Sequence, residues 1–138
     1  MTRYLLDTSA LLALRDDEPG ADQVADLLYK AQKGESICGI CFISLMELFY
    51  RVWKDESESA GRLAYEQCRA LPVEIVHESE PLLERAAQIK AVHRLSLADA
   101  WIGAAALLEG ATLVHKDPEF DVLDCPQLKL PENKKQRK

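Results

Sequence analysis

Asp7, Glu47, Asp99 and Asp117 are the residues of this sequence best placed to do chemistry. Asp7 closes a short apolar run at residues 3–6, and Asp117 follows another at 111–114. Glu47 and Asp99 fall in helical patterns whose surroundings are half apolar: one turn away lie Ile43, Ser44, Tyr50 and Arg51 for the first, and Leu95, Ser96, Ile102 and Gly103 for the second. A carboxylate on such a face is costly unless something compensates it, and a cation does so naturally. Four carboxylates converging on one point repel and raise one another's pKa values, which a hard divalent ion, Mg²⁺ or Mn²⁺, relieves. An ion held by carboxylates with open positions activates water and stabilises charge developing at a phosphodiester, so hydrolysis of nucleic acid is the matching reaction.

Each acid also has an ordinary structural explanation. Asp7 before Thr8-Ser9 caps a helix, and Asp117-Pro118 is turn chemistry. Ser96-Leu97-Ala98-Asp99 reads as a capping box, and Glu47 has Arg51 four residues on as an ion-pair partner. The joint arrangement, not any single acid, favours the chemical reading.

The elements that must position these residues are legible from periodicity. Short apolar runs at 3–6, 36–42, 73–77, 111–114 and 128–130 read as strands. Helical spacing appears at 10–15, 21–31, 44–54, 60–71, 82–93 and 97–109, with Gly34, Pro72 and Gly110 as stops and Ser79-Glu80-Pro81 as a start. Strands separated by helices predict an α/β fold, a mainly parallel sheet with helices on both faces, because parallel neighbours need helical crossovers. Ligands then collect at the carboxyl ends of the strands, where Asp7, Glu47 and Asp117 fall.

The 138 residues suit a single domain, at 48% hydrophobic and 29% charged. With 17 Lys and Arg against 23 Asp and Glu, the net charge of −6 excludes a protein that wraps nucleic acid by bulk positive charge, though not a local phosphate site. Glu132 against Lys134, Lys135, Arg137 and Lys138 leaves a basic tail on an acidic body. We expect a domain over residues 1–130 and a tail over 131–138 that is frayed and solvated or, as the sharper hypothesis, touches RNA. The longest nearly apolar stretch, residues 37–50, is too short to span a bilayer, and the first residues lack a signal-peptide core, so a cytoplasmic location without membrane contact is expected. Cys38, Cys41, Cys68 and Cys125 are too few for a secreted disulfide scaffold.

In order and spacing, Tyr4-Leu5-Leu6-Asp7-Thr8-Ser9-Ala10, Ile43-Ser44-Leu45-Met46-Glu47-Leu48, Leu97-Ala98-Asp99-Ala100-Trp101-Ile102-Gly103-Ala104-Ala105 and Leu113-Val114-His115-Lys116-Asp117-Pro118-Glu119-Phe120 resemble the PIN-domain ribonucleases of the VapC toxin type. The resemblance covers most of the chain and implies a three-layer α/β/α PIN-like fold. It implies an endoribonuclease using one or two Mg²⁺ or Mn²⁺ ions, with Asp7, Glu47, Asp99 and Asp117 as the acidic set. It further implies a VapB-type antitoxin as partner and a homodimer. Ser9 stands where the family often has a polar residue that orients the first acid or a metal-bound water. His115 is a departure, since many relatives carry Thr or Asn there, and Glu119 or Asp121 could substitute for Asp117. Arg15, Arg51, Lys54, Lys90, Arg94 and Lys116 are candidate RNA phosphate contacts.

Other readings fit less well. Cys38-Gly39-Ile40-Cys41 has zinc-like spacing but no second ligand pair, so both cysteines are assigned to the core. His77, His93 and His115 are too scattered for a metal-free, histidine-based ribonuclease. An aspartyl-phosphate phosphatase needs a second Asp where Ser9 stands, and a phosphoacceptor receiver domain needs an acidic pair at that strand end. A non-catalytic module with the same fold, or a housekeeping RNA-processing nuclease, remains as the alternative function.

Overall fold

The computed structural model describes residues 1–133. Five strands form one sheet in the order β3-β2-β1-β4-β5, and every pairing is parallel, so the expected mainly parallel sheet is wholly so. They are β1 (Arg3–Leu6), β2 (Ile37–Cys41), β3 (Glu74–Val76), β4 (Thr112–His115) and β5 (Gln127–Lys129). Six helices flank them: α1 (Thr8–Asp16), α2 (Ala21–Gln32), α3 (Phe42–Asp55), α4 (Glu58–Arg69), α5 (Glu80–Val92) and α6 (Leu97–Glu109). Among the described residues no helix is long and apolar enough to cross a membrane.

Alternation along the strands builds two cores from one sheet. Leu5 and Leu113 point to the face covered by α5 and α6, while Leu6, Ile40 and Val114 point to the face covered by α1 to α4. The result is three layers, helix on sheet on helix. The helix starts follow capping chemistry: Ser57, Ser79 and Ser96 each accept from the backbone N–H three residues on, and Pro81 stands in the first turn of α5. Gly110 closes α6 in the left-handed conformation at φ 59°.

The differences from the sequence reading lie at element ends. Helix α3 begins at Phe42 rather than Ser44, because the chain turns directly out of extended Cys41. The helix expected over 60–71 spans Glu58–Arg69, started early by the Ser57 cap. The Asp117-Pro118 turn continues as a 3₁₀ helix, Pro118–Val122. Helix α6 spans the expected residues 97–109. Its Gly103 lets the segment after that 3₁₀ turn pack closely, since a Cβ there would lie 2.4 Å from Leu123 Cδ1. The helix that carries Asp99 and the turn that follows Asp117 thereby meet.

Candidate active site

Strand β1 is central, and the chain first builds outward through β2 to β3, then returns to place β4 on the other flank. The carboxyl ends of β1 and β4 therefore form a switch point, where a parallel α/β sheet opens a crevice. Asp7 directly follows β1, Asp117 stands two residues after β4, Glu47 is in the second turn of the helix leaving β2, and Asp99 is in the first turn of α6.

The inner part of the site is held by hydroxyls. Asp7 is buried and caps α1, its Oδ1 accepting from the Ala10 N–H at 2.9 Å and the Ser9 hydroxyl at 2.7 Å. Ser9 Oγ in turn accepts the Lys116 backbone N–H at 3.2 Å, and the Asp7 N–H donates to the Val114 carbonyl at 3.1 Å, which stitches this corner to β4. Burial pushes the Asp7 carboxyl up from 3.8 to about 7. The Ser9 and Ala10 hydrogen bonds oppose the rise, and the nearby Asp99 and Asp117 charges add to it. Buried Glu47 receives the Thr8 hydroxyl at 2.6 Å. Thr8 Oγ1 also lies 3.1 Å from buried Ser44 Oγ. A hydroxyl has one proton, and the shorter contact to the charged carboxylate takes it. The expected Glu47–Arg51 pair forms at 3.5 Å, with the guanidinium partly in solvent.

The outer part is a gathering of like charges. One carboxylate oxygen from each of Asp99, Asp117 and Glu119 lies within 4.8 Å of the others. Burial, followed by the charges of Asp117 and Glu47, raises the Asp99 carboxyl from 3.8 to about 6, against a lowering by Ser96. Asp117 caps the 3₁₀ turn by accepting the Glu119 N–H at 2.9 Å, and its own N–H donates to His115 Nδ1 at 2.9 Å. His115 is fully buried at the end of β4, its Nε2 2.8 Å from Gln127 Oε1 and its ring edge-on to Phe120 at 5.0 Å. Burial holds its pKa below the ordinary 6.5.

The four acids thus reach one end of the sheet, and Glu119 belongs with Asp99 and Asp117 in the tightest cluster. Asp121 pairs with Lys129 at 4.0 Å instead. The donor set is all oxygen, the preference of a hard ion such as Mg²⁺ or Mn²⁺, and Asp7 and Asp99 with raised pKa values lack the positive charge such an ion supplies. Arg51 and Lys116 line a groove with Ser9, Leu12, Glu18, Glu132 and Asn133 at the site's margin. Lys116 is tied to Glu18 at 3.5 Å and to Asn133. Arg15 is engaged by Asp16 and Glu56 at 2.7 and 2.8 Å, while Lys54, Lys90 and Arg94 are exposed. Cys38 and Cys41 are buried free thiols. Lys134 to Lys138 of the basic tail lie outside the described residues.

Sequence reasoning missed Thr8, Ser44 and Gln127. Thr8 and Ser44 flank acids at residues 7 and 47, but nothing in the sequence links two hydroxyls across 36 residues. Gln127 carries no motif at all.

The model of the PIN domain family matches residues 4–124. No curated protein matches the sequence. Among solved structures, a chain of VapBC2 from Rickettsia felis bound to a DNA fragment from its promoter superposes with a TM-score of 0.76 and 20% identity, covering 94% of this chain and 100% of that one. VapC20 of Mycobacterium tuberculosis, a sarcin-ricin loop cleaving toxin, gives 0.70 and 17%, covering 93% and 99%. A chain of VapBC-1 from nontypeable Haemophilus influenzae gives 0.71 and 21%, covering 93% and 98%. Identities this low speak for the fold alone. The match over nearly the whole domain, with the acids at the strand ends, establishes that this chain belongs to the PIN domain family.

Proposed function

We propose that this protein is a Mg²⁺- or Mn²⁺-dependent endoribonuclease, and that it is the toxin of a VapBC-type pair. The observation that carries the reading is the convergence of Asp99, Asp117 and Glu119 within 4.8 Å beside an Asp7 carboxyl raised to about 7. A module that only binds a protein partner gains nothing from concentrating unpaired acids.

Asp7, Glu47, Asp99 and Asp117 would hold one or two ions, with Glu119 at the outer edge. The bound ion supplies an activated water and charge stabilisation at phosphorus. The chain's own residues do the positioning. Ser9 and the Ala10 N–H aim Asp7, Thr8 aims Glu47, and His115 steadies the backbone from which Asp117 departs. Arg51, at the groove mouth and partly in solvent, is the cation best placed to meet an RNA phosphate. Lys116 lines the same groove but is tied to Glu18 and Asn133, and Arg15 is occupied elsewhere by Glu56.

The partners follow from the same reading. An apolar groove lined by Leu11, Leu14, Leu48, Ala64 and Cys68 supports docking of a VapB-type antitoxin. Exposed Met46, Tyr50 and Trp53 on α3 and Leu63 on α4 support a homodimer. We assign the nuclease to residues 1–130, a basic extension to 131–138, and a cytoplasmic location in keeping with four free cysteines.

The test compares wild type with Asp7→Asn and Asp99→Asn on a structured RNA pool in Mg²⁺, in Mn²⁺ and in EDTA, after removal of any co-purified partner. We expect metal-dependent cleavage by wild type and a loss of about 100-fold or more in both folded variants. A wild type that binds no divalent ion and cuts nothing overturns the nuclease reading in favour of an interaction module. Cleavage without arrest of growth on expression in a bacterial host points to the housekeeping nuclease instead.

A further inference from the structure

We propose that His115 and Gln127 form a single positioning device that fixes the Asp117–Glu119 limb of the acidic site. The inference deepens the metal-dependent reading above and rests on it for its consequence, though not for its geometry.

The geometry leaves the proton placements no freedom. The Asp117 backbone N–H can only donate, so His115 Nδ1, 2.9 Å away, must present its lone pair. The ring is then neutral with its proton on Nε2, which donates to Gln127 Oε1 at 2.8 Å. That orients the Gln127 amide, whose Nε2 donates to the Phe120 carbonyl at 2.8 Å and the Leu123 carbonyl at 3.3 Å. Backbone groups thus dictate both ends of the chain of bonds, and each intermediate atom has one compatible role.

What this chain of bonds spans is the 3₁₀ turn Pro118–Val122. Asp117 precedes the turn, Phe120 is its middle residue and Leu123 directly follows it, so the two side chains brace the turn at its entry, its middle and its exit from strands β4 and β5. Phe120, fully buried, packs its ring on the same imidazole. A five-residue 3₁₀ turn is an element with poor internal hydrogen-bond geometry, so an external brace decides where its acids stand. Those acids are Asp117 and Glu119, whose oxygens meet Asp99 within 4.8 Å. His115 and Gln127 touch no reacting group in this arrangement. Their effect is on where Asp117 and Glu119 stand, as outer partners orient first ligands in metal sites.

Gln127→Leu removes both amide ends, and Gln127→Glu keeps the shape while replacing the donor with an acceptor that faces two carbonyls. His115→Asn keeps a short acceptor toward the Asp117 N–H, and His115→Phe keeps bulk without one. Two readouts are taken on each variant: Mn²⁺ binding to the RNA-free protein by calorimetry, and hydrogen exchange of the Asp117 and Glu119 amides without metal. We expect Gln127→Leu and His115→Phe to weaken Mn²⁺ binding about 10-fold or more. Exchange at Asp117 should accelerate by a similar factor, His115→Asn should recover much of both, and the double variant should fall no further than the worse single one. Folded variants with unchanged exchange at Asp117 overturn the brace. Accelerated exchange with unchanged Mn²⁺ affinity overturns its role in the site. If either apolar variant fails to fold, Gln127→Glu, for which the same acceleration and weakening are expected, decides by the same readouts. A wild type that binds no Mn²⁺ sinks the nuclease reading instead, and exchange alone then decides whether the brace exists.

Discussion

The two parts of the acidic site solve the same electrostatic problem in opposite ways. Asp7 and Glu47 are taken out of water and given donors, two for Asp7 and the Thr8 hydroxyl for Glu47. Asp99, Asp117 and Glu119 keep contact with solvent and crowd one another, with backbone N–H groups serving mainly to shape the turns that carry them. Donors cannot fully replace water around a buried carboxylate, which is why Asp7 still rises to about 7. The inner part is therefore built for fixed position and the outer part for capture of charge. On the metal-dependent reading proposed above, such a site would hold a cation from the inner side and leave the outer side open to substrate.

The sharpest way to break this contrast is to remove a positioning hydroxyl from the inner part while leaving every acid in place. Thr8→Val keeps the shape of a buried side chain and strips Glu47 of its 2.6 Å donor. We expect cleavage to fall by about 10- to 100-fold, mainly through weaker metal saturation, and Thr8→Ser to restore most of it. Single-turnover rates measured across a Mn²⁺ titration check this. A Ser variant that loses cleavage while the Val variant keeps it would mean that the methyl group, not the hydroxyl, matters.

How much of this was legible in the sequence follows the same division. Strand-end acids are visible because apolar strand runs stop at them, so Asp7 and Asp117 announced themselves. Glu47 stood out because Leu45, Met46, Leu48 and Phe49 surround it. The alternating layers were equally readable, since a sheet buried on both faces forces apolar strands between amphipathic helices. Thr8 to Glu47 and His115 to Gln127 were not readable. Each is a contact between elements, fixed by the register of β1 against β2 and of β4 against β5, and no local pattern encodes register between parallel strands joined by long crossovers. Helix ends drifted for a related reason. Phe42 is helical because Cys41 ends a strand there, which periodicity alone does not report.

A second prediction uses protons in place of metal. In the metal-free protein Asp7 titrates near 7 and Asp99 near 6, against 3.8 for each in the unfolded chain. Between those values the folded state binds more protons, so these acids make the fold less stable as pH rises from about 4 to about 7. Buried His115, held below 6.5, acts in the opposite direction at the acid end, so the informative quantity is a difference between variants. Asp7→Asn should melt several degrees above metal-free wild type at about pH 7.5, on the order of 5 °C, and the gap should close near pH 5 where Asp7 is itself neutral. Saturating Mg²⁺ should stabilise wild type and leave Asp7→Asn largely unmoved. A gap that stays constant across the pH range would show that Asp7 carries no such strain.

The smallest effect is expected at the opposite, amino end of the same strands, where acids and a cation also meet. Arg3, at the start of β1, lies 3.2 Å from Glu74 and 3.8 Å from Glu109. All three side chains are more than a third exposed, so water screens the pairs and their flexible stems lose entropy on pairing. Arg3→Ala should change unfolding free energy by less than about 1 kcal/mol and leave the metal dependence of cleavage as it is. Chemical denaturation and the Mn²⁺ titration measure both. A larger loss there would mean that charge pairing at an exposed end governs this fold as strongly as burial does. Exposure would then no longer account for why Glu74 and Glu109 sit harmlessly at one end of the sheet while Asp7 and Asp99 are strained at the other.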